Sequence, residues 1–167
     1  MSSTRPSGIS AIPDELGRVV QEISHIDQRG RLHILPRWIE ALGWLRNRKP
    51  ETVALVTFLE PGRLSLRAWD EFGPSIVERY KGVMHSTDPA ELEAMRAIQD
   101  RYARLDIRAD NRPYLGDIVL AHLGLPLERS HKAIVYIVIL PEQIDILSPE
   151  YRNRKLIEGH PILVDLP

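Results

Sequence analysis

Hydrophobic positions change period several times along the chain, and each change predicts an element boundary. GRVVQEISHID (17–27) is rich in β-branched residues and partly alternating, which predicts a strand. QRG follows as a turn, with Gly30 able to take the positive φ that L side chains resist. RLHIL alternates again, with Leu32 and Ile34 on one face and Arg31, His33 and Leu35 on the other, so a second short strand is expected. Pro36 suits the first turn of a helix, in which Trp38, Ile39, Leu42 and Leu45 recur at helical spacing and Gly43 suits the end. A basic loop, RNRKPE, leads to the strand TVALVTFLE, which PGR reverses into LSLRAW as a hairpin. The middle is helical. PSIVERYKGVMH predicts a shorter helix, and TDPAELEAMRAIQDRYARL a longer one with Thr87 or Asp88 as cap and Pro89 at its first position. Leu92, Met95, Ile98, Tyr102 and Leu105 form the apolar stripe of that longer helix, for which core packing is the expected role.

The same order of elements occurs twice. IDQRGRLHILPRWIEALGW (26–44) lies over IRADNRPYLGDIVLAHLGL (107–125) at a spacing of 81, matching Ile26 with Ile107, Arg31 with Arg112 and Ile39 with Leu120. Gly30 meets Asn111, a residue that also tolerates the left-handed region. VALVTFLEPGRLSLRAWDEF lies over AIVYIVILPEQIDILSPEYR at a spacing of 80, which aligns Pro61 with Pro141. Half-units of about 50 residues bury too little apolar surface to stand alone. The expectation is therefore one domain over 18–155, with repeats at about 18–72 and 107–152 joined by helices at 74–105 and sharing one core across a near-twofold axis.

Composition adds exclusions. The 167 residues are 43% hydrophobic and 27% charged, which is globular, and they contain no cysteine, so thiol chemistry and cysteine-built zinc sites are ruled out. Residues 1–17, opening MSSTRPSG, are expected to be a flexible segment and 156–167 a tail. No apolar run approaches the roughly 20 residues needed to span a bilayer, so no membrane partner and a cytoplasmic location are expected. Net charge is −1, a poor overall footprint for a nucleic-acid binder. Charge is unevenly spread, however: Arg29, Arg31, Arg37, Arg46, Arg48 and Lys49 face only Asp27 and Glu40 over 25–50, a local excess of +4.

In the first repeat Asp27 to Arg31 forms an acid-x-x-x-arginine signature, followed by the proline-initiated helix and LEPGRLSLRAWDEF. In the second, DPAELEAMRAIQDRYARLDIRADNR precedes VYIVILPEQIDILSPEYR. With these motifs the chain, over about 18–155, resembles the MraZ family, tandem relatives of the SpoVT/AbrB swapped-hairpin regulators. The resemblance implies an α+β fold, a pseudo-twofold double swapped-hairpin β-barrel with linking helices. It also implies a bacterial transcriptional regulator that assembles into a homo-oligomeric ring and presents its signature turns to double-stranded promoter DNA. The second repeat departs from the pattern: Arg108 stands where the acid belongs, Asn111 replaces the glycine and Asp117 the proline.

Candidate DNA-contacting residues are Asp27, Arg29, Arg31, Arg37, Arg46, Arg48, Lys49, Arg108 and Arg112. Arginine forks onto phosphate oxygens or guanine edges. Arg31 is expected to fold back onto Asp27 while Arg29 points outward; the competing role for the whole set is a solvated, self-paired turn. Arg37, Arg46, Arg48 and Lys49 would extend a phosphate track, while Asp106, Asp110 and Asp117 nearly neutralise Arg108 and Arg112. Trp38, Trp44 and Trp69 fit core or interface anchors, Trp44 the latter. The six histidines have no ligand spacing, so no metal or cofactor is expected. Asp70 with Glu71, or Asp145 with Glu150, could be imagined as a carboxylate dyad, but solvation is the expected fate of each, so an enzyme is not expected. The alternative function is an oligomeric scaffold or protein-interaction module of the same fold that has lost DNA binding, with a small-molecule sensor as a weaker third.

Overall fold

A computed structural model describes residues 20–47, 52–126 and 130–158. Its six strands form one antiparallel sheet with the order β1-β5-β6-β3-β2-β4. They are β1 (Val20–Ile26), β2 (Val53–Phe58), β3 (Arg63–Ala68), β4 (Tyr102–Asp106), β5 (Ala133–Leu140) and β6 (Gln143–Leu147). The hairpins β2–β3 and β5–β6 lie back to back at the centre, and the first strand of each half pairs with the hairpin of the other half. The registers obey the repeat: Ile23 faces Tyr136 in β1–β5, and Arg104 faces Leu55 in β4–β2, each residue 81 positions from its mate. In the central ladder Ser65 faces Asp145, flanked by Leu64 opposite Ile146 and Leu66 opposite Ile144. The pseudo-twofold axis therefore passes through the Ser65–Asp145 pair. Among the described residues β1 and β4 are the two edges and do not pair with each other, so the sheet is open rather than a closed barrel.

One apolar core draws on both halves: Trp38, Leu42 and Leu45 come from the first, and Leu115, Leu120 and Leu123 from the second. They lie in or cap the helices α1 (Pro36–Ala41), α2 (Gly43–Arg46) and α5 (Gly116–His122). Each side docks on the opposite hairpin turn. Gly43 N–H donates to Glu142 Oε1 (3.1 Å) and Trp44 Nε1 to the Glu142 carbonyl (3.1 Å), while Gly62 N–H donates to the His122 carbonyl (2.8 Å).

Several expectations change. The spacing of 80 fails for the strand before each turn. Leu55 and Tyr136 are equivalent at 81, because the first turn has three residues (Glu60, Pro61, Gly62) and the second two (Pro141, Glu142). The extra residue lies ahead of the proline, at Leu59–Glu60, so Pro61 and Pro141 remain counterparts at 80, as do Gly62 and Glu142, both with positive φ (92° and 58°). RLHIL makes only isolated bridges, Ile26 to Leu32 and Arg31 to Tyr114. Leu42, not Gly43, closes α1, and Gly43 opens α2.

The helices of the middle also differ. α3 (Trp69–Val83) is the longer one and starts earlier than expected, carrying Pro74 inside it. α4 (Pro89–Arg101) has the expected Asp88 cap and Pro89 start but stops before Tyr102. Tyr102–Asp106 is strand β4, because those residues are the repeat's answer to β1 and complete the edge of β2. The second half thus begins within the segment expected to be linking helix. The stripe on α4 is only half-buried, with no fully buried residue in the helix. After β6, α6 (Pro149–Ile157) was not foreseen, although Ser148 caps it by accepting from Tyr151 N–H (3.1 Å) ahead of Pro149.

Candidate nucleic-acid interface

The first turn is held by its own acid. One Asp27 oxygen accepts the backbone N–H of Arg29 (2.9 Å) and of Arg31 (3.0 Å), and the other accepts Arg31 Nε (2.9 Å). Asp27 also anchors the backbone, since its N–H donates to the Arg31 carbonyl and its carbonyl accepts from Gly30 N–H, both at 3.0 Å. Partial burial pushes the Asp27 carboxyl up, but the donors from Arg31 and Arg29 outweigh it, leaving the carboxyl below its usual range. Gly30 sits at φ 82°, where a Cβ would be strained. Arg31 thus folds onto Asp27, and Arg29 is exposed.

The second turn keeps the shape with other residues. Asn111 takes φ 59°, its N–H donates to the Arg108 carbonyl (3.1 Å), and Asp110 accepts Arg112 N–H (3.0 Å). The two turns lie side by side. Leu115 N–H donates to the Gly30 carbonyl (2.9 Å), and its mate under the repeat, Ile34 N–H, donates to the Asn111 carbonyl (3.0 Å). Between them Leu32 N–H donates to the Pro113 carbonyl (3.0 Å), a bond without a twin because proline has no N–H. Arg29, Arg108 and Arg112, all exposed, therefore share one tip with Arg31. The crossover brings together turns that are 81 residues apart in sequence.

The other candidates lie elsewhere. Arg37 Nε pairs with the buried carboxylate of Glu22 (2.9 Å), which also accepts Trp38 Nε1 (3.0 Å). Arg46 donates to the Glu40 carbonyl (2.8 Å) beside Gly43 and Glu142, at the far end of β5 from the tip. At about 3.3 Å per strand residue, the length of β1 alone puts about 20 Å between these ends. Arg48 and Lys49 lie outside the described residues. Trp44, half-buried, donates its Nε1 to the Glu142 carbonyl.

Sequence reasoning missed the most buried ion pair. Arg63 places Nη2 at 2.8 Å and Nε at 3.3 Å from Asp145 Oδ2, next to Tyr151, whose hydroxyl donates to Glu60 (3.2 Å). Burial pushes the Arg63 guanidinium down, yet Tyr151 and Asp145 outweigh it and hold it above its usual value. Asp145 is thus buried and paired, contrary to the solvated role expected of it; Asp70 and Glu71 are exposed in the first turn of α3. The available signal was an aspartate inside the apolar run QIDIL. Lys132, His25 and His33 were also passed over, although the strand ends carry them to the tip. Among the described residues no cluster of three or more metal-ligating side chains occurs, and no helix is long and apolar enough to cross a membrane.

No protein-family model matches the chain, and no curated protein does.

Proposed function

We propose that the chain is a DNA-binding transcriptional regulator of the swapped-hairpin, MraZ-like kind, meeting double-stranded DNA with the tip formed by its paired turns and acting as a homo-oligomer. The observation that supports this is the pairing of Gly30 with Leu115 and Ile34 with Asn111, which sets arginines from both halves on one exposed edge. Such a tip can place guanidinium groups on adjacent phosphates while Asp27 preorganises Arg31. A mobility shift against duplex from upstream of the protein's own gene, at two salt concentrations, tests it. Arg29→Ala/Arg112→Ala should bind at least about tenfold more weakly, with a salt slope shallower by about one for each phosphate no longer neutralised. Unchanged binding by that variant would remove the tip from the reading.

The alternative, a scaffold for a protein partner, is supported by a different surface. Ile23 (46% exposed) and Ile134 (52%) lie uncovered on β1 and β5, with Leu156 (48%) on α6. Retained partner capture without any duplex binding would favour it.

A further inference from the structure

Beside the first turn, a second group of basic side chains converges, of which only Arg112 belongs to the repeated arginine signature. His25 lies near the end of β1, and His33 returns past it with the ring centroids 5.1 Å apart. Both main chains are pinned: His33 N–H donates to the His25 carbonyl (3.2 Å), and Ser24 Oγ donates to the His33 carbonyl (2.9 Å). Ile26 faces Ala133 in the β1–β5 ladder, which sets Lys132 next to the start of the turn. Arg112 arrives from the other half. The charged and titratable groups that face His25 are therefore Lys132 from the approach to β5, His33 from the segment after the first turn, Arg112 from the second turn, and Asp27. Burial pushes the His25 imidazole down, Lys132 and His33 add to that, and Asp27 opposes them. Asp27 already accepts two backbone donors and the Arg31 guanidinium, so it is ill placed to neutralise Lys132 and Arg112 as well.

We propose that His25, His33, Arg112 and Lys132 form a phosphate-binding site whose occupation is coupled to proton uptake. This rests on the DNA reading and gives it a direction, extending the contact surface from the turns toward β5 rather than toward Arg37 and Arg46. The sign follows from the neighbours. Without an anion, burial and then the charge of Lys132 hold the His25 midpoint below its ordinary value. A phosphate oxygen among the four side chains favours the imidazolium and raises the midpoint in the bound state. Affinity is then greatest below the free-state midpoint and is lost as pH rises through the bound-state midpoint.

The test is duplex binding by anisotropy at fixed ionic strength from pH 8 to pH 5.5, with histidine ring resonances followed in parallel with and without sulfate, a phosphate mimic of constant charge. Wild type should tighten by up to about tenfold per pH unit for one linked proton. His25→Gln/His33→Gln should lose the rise between pH 8 and pH 5.5. Sulfate should move the His25 midpoint upward in the wild-type chain, a readout that needs no variant to fold. A rise retained in the double variant, or a midpoint indifferent to sulfate, overturns the proposal. If sulfate moves the midpoint while duplex binds at no pH, the site stands as one for another phosphate ligand and the DNA reading falls.

Discussion

At the first turn Asp27 takes three donors; at the second, Arg108 occupies that place and Asp110 takes the Arg112 N–H instead. The backbones are nonetheless alike, with Gly30 and Asn111 both left-handed and both accepting a bond from the partner turn. The turn's shape is thus secured by crossing the other turn and by a residue that tolerates positive φ. The acid has a separate task, which is to aim an arginine. The same division recurs at the hairpin turns, where Gly62 and Glu142 both take a positive φ with different chemistry. A degenerate repeat keeps its fold where the backbone is constrained from outside and drifts where a side chain only directs another.

The largest expected break is at the axis itself. Ser65 and Asp145 face each other, but only Asp145 is charged, and it is 2% exposed against Arg63. Asp145→Ala leaves a buried guanidinium without its partner and should cost about 3–5 kcal/mol in urea unfolding. Arg63→Gln/Asp145→Ser gives each half the other's residues at these two positions and removes both charges, so it should cost clearly less than the single variant. A double variant as damaged as Asp145→Ala would mean that the axis needs the asymmetry.

Next in size is the pair of hairpin turns. A Cβ at Gly62 would lie 2.7 Å from Ser148 Oγ and 2.9 Å from Tyr151 Cβ, on a backbone already at φ 92°. Gly62→Ala should therefore lose about 2–4 kcal/mol, strain and overpacking together. Glu142→Gly relieves a positive φ but gives up the acceptor for Gly43 N–H, so its midpoint should shift by less than about 0.5 kcal/mol. Equal losses at both positions would contradict the view that the second turn, with Pro141 and Glu142 exposed, has room for a side chain that the first lacks.

Both halves could be traced in the sequence because turn chemistry is local: Gly30, Asn111, Pro36 and Pro89 announce their places through φ alone. Strand β4 was hidden because RYARL continues the helical period of α4, and only pairing with β2 turns it into a strand. The one-residue spacing change in the strand before each hairpin turn was hidden for a related reason: the prolines align correctly, and only the ladder registers show the extra residue ahead of them. Of the candidate site, the Asp27–Arg31 clasp was legible at four residues' separation. That Arg29 and Arg112 share one tip, and that His25 lies beside Lys132, was not, since it depends on the crossover. Arg37 looked free for want of Glu22, fifteen residues back on another element.

The smallest effect probes the comparison most directly. Exchanging two residues of the second turn, Arg108→Asp/Asp110→Arg, rebuilds the first turn's order of acid, x, arginine, left-handed residue, arginine without changing net charge. The aspartate introduced at position 108 would meet the N–H groups of residues 110 and 112 as Asp27 meets those of Arg29 and Arg31. Because Asp110 already accepts one of these, the gain is what remains: one backbone bond and an exposed ion pair to Arg112, about 0.5 kcal/mol in the urea midpoint. Arginine at position 110 would stand where Arg29 stands in the other half, so duplex affinity should rise by about threefold with a steeper salt slope. Stability gained without affinity would confine the tip to a structural clasp. Affinity gained without stability would show that the acid does not aim Arg112 as it aims Arg31, and that the two turns differ in more than the residues exchanged.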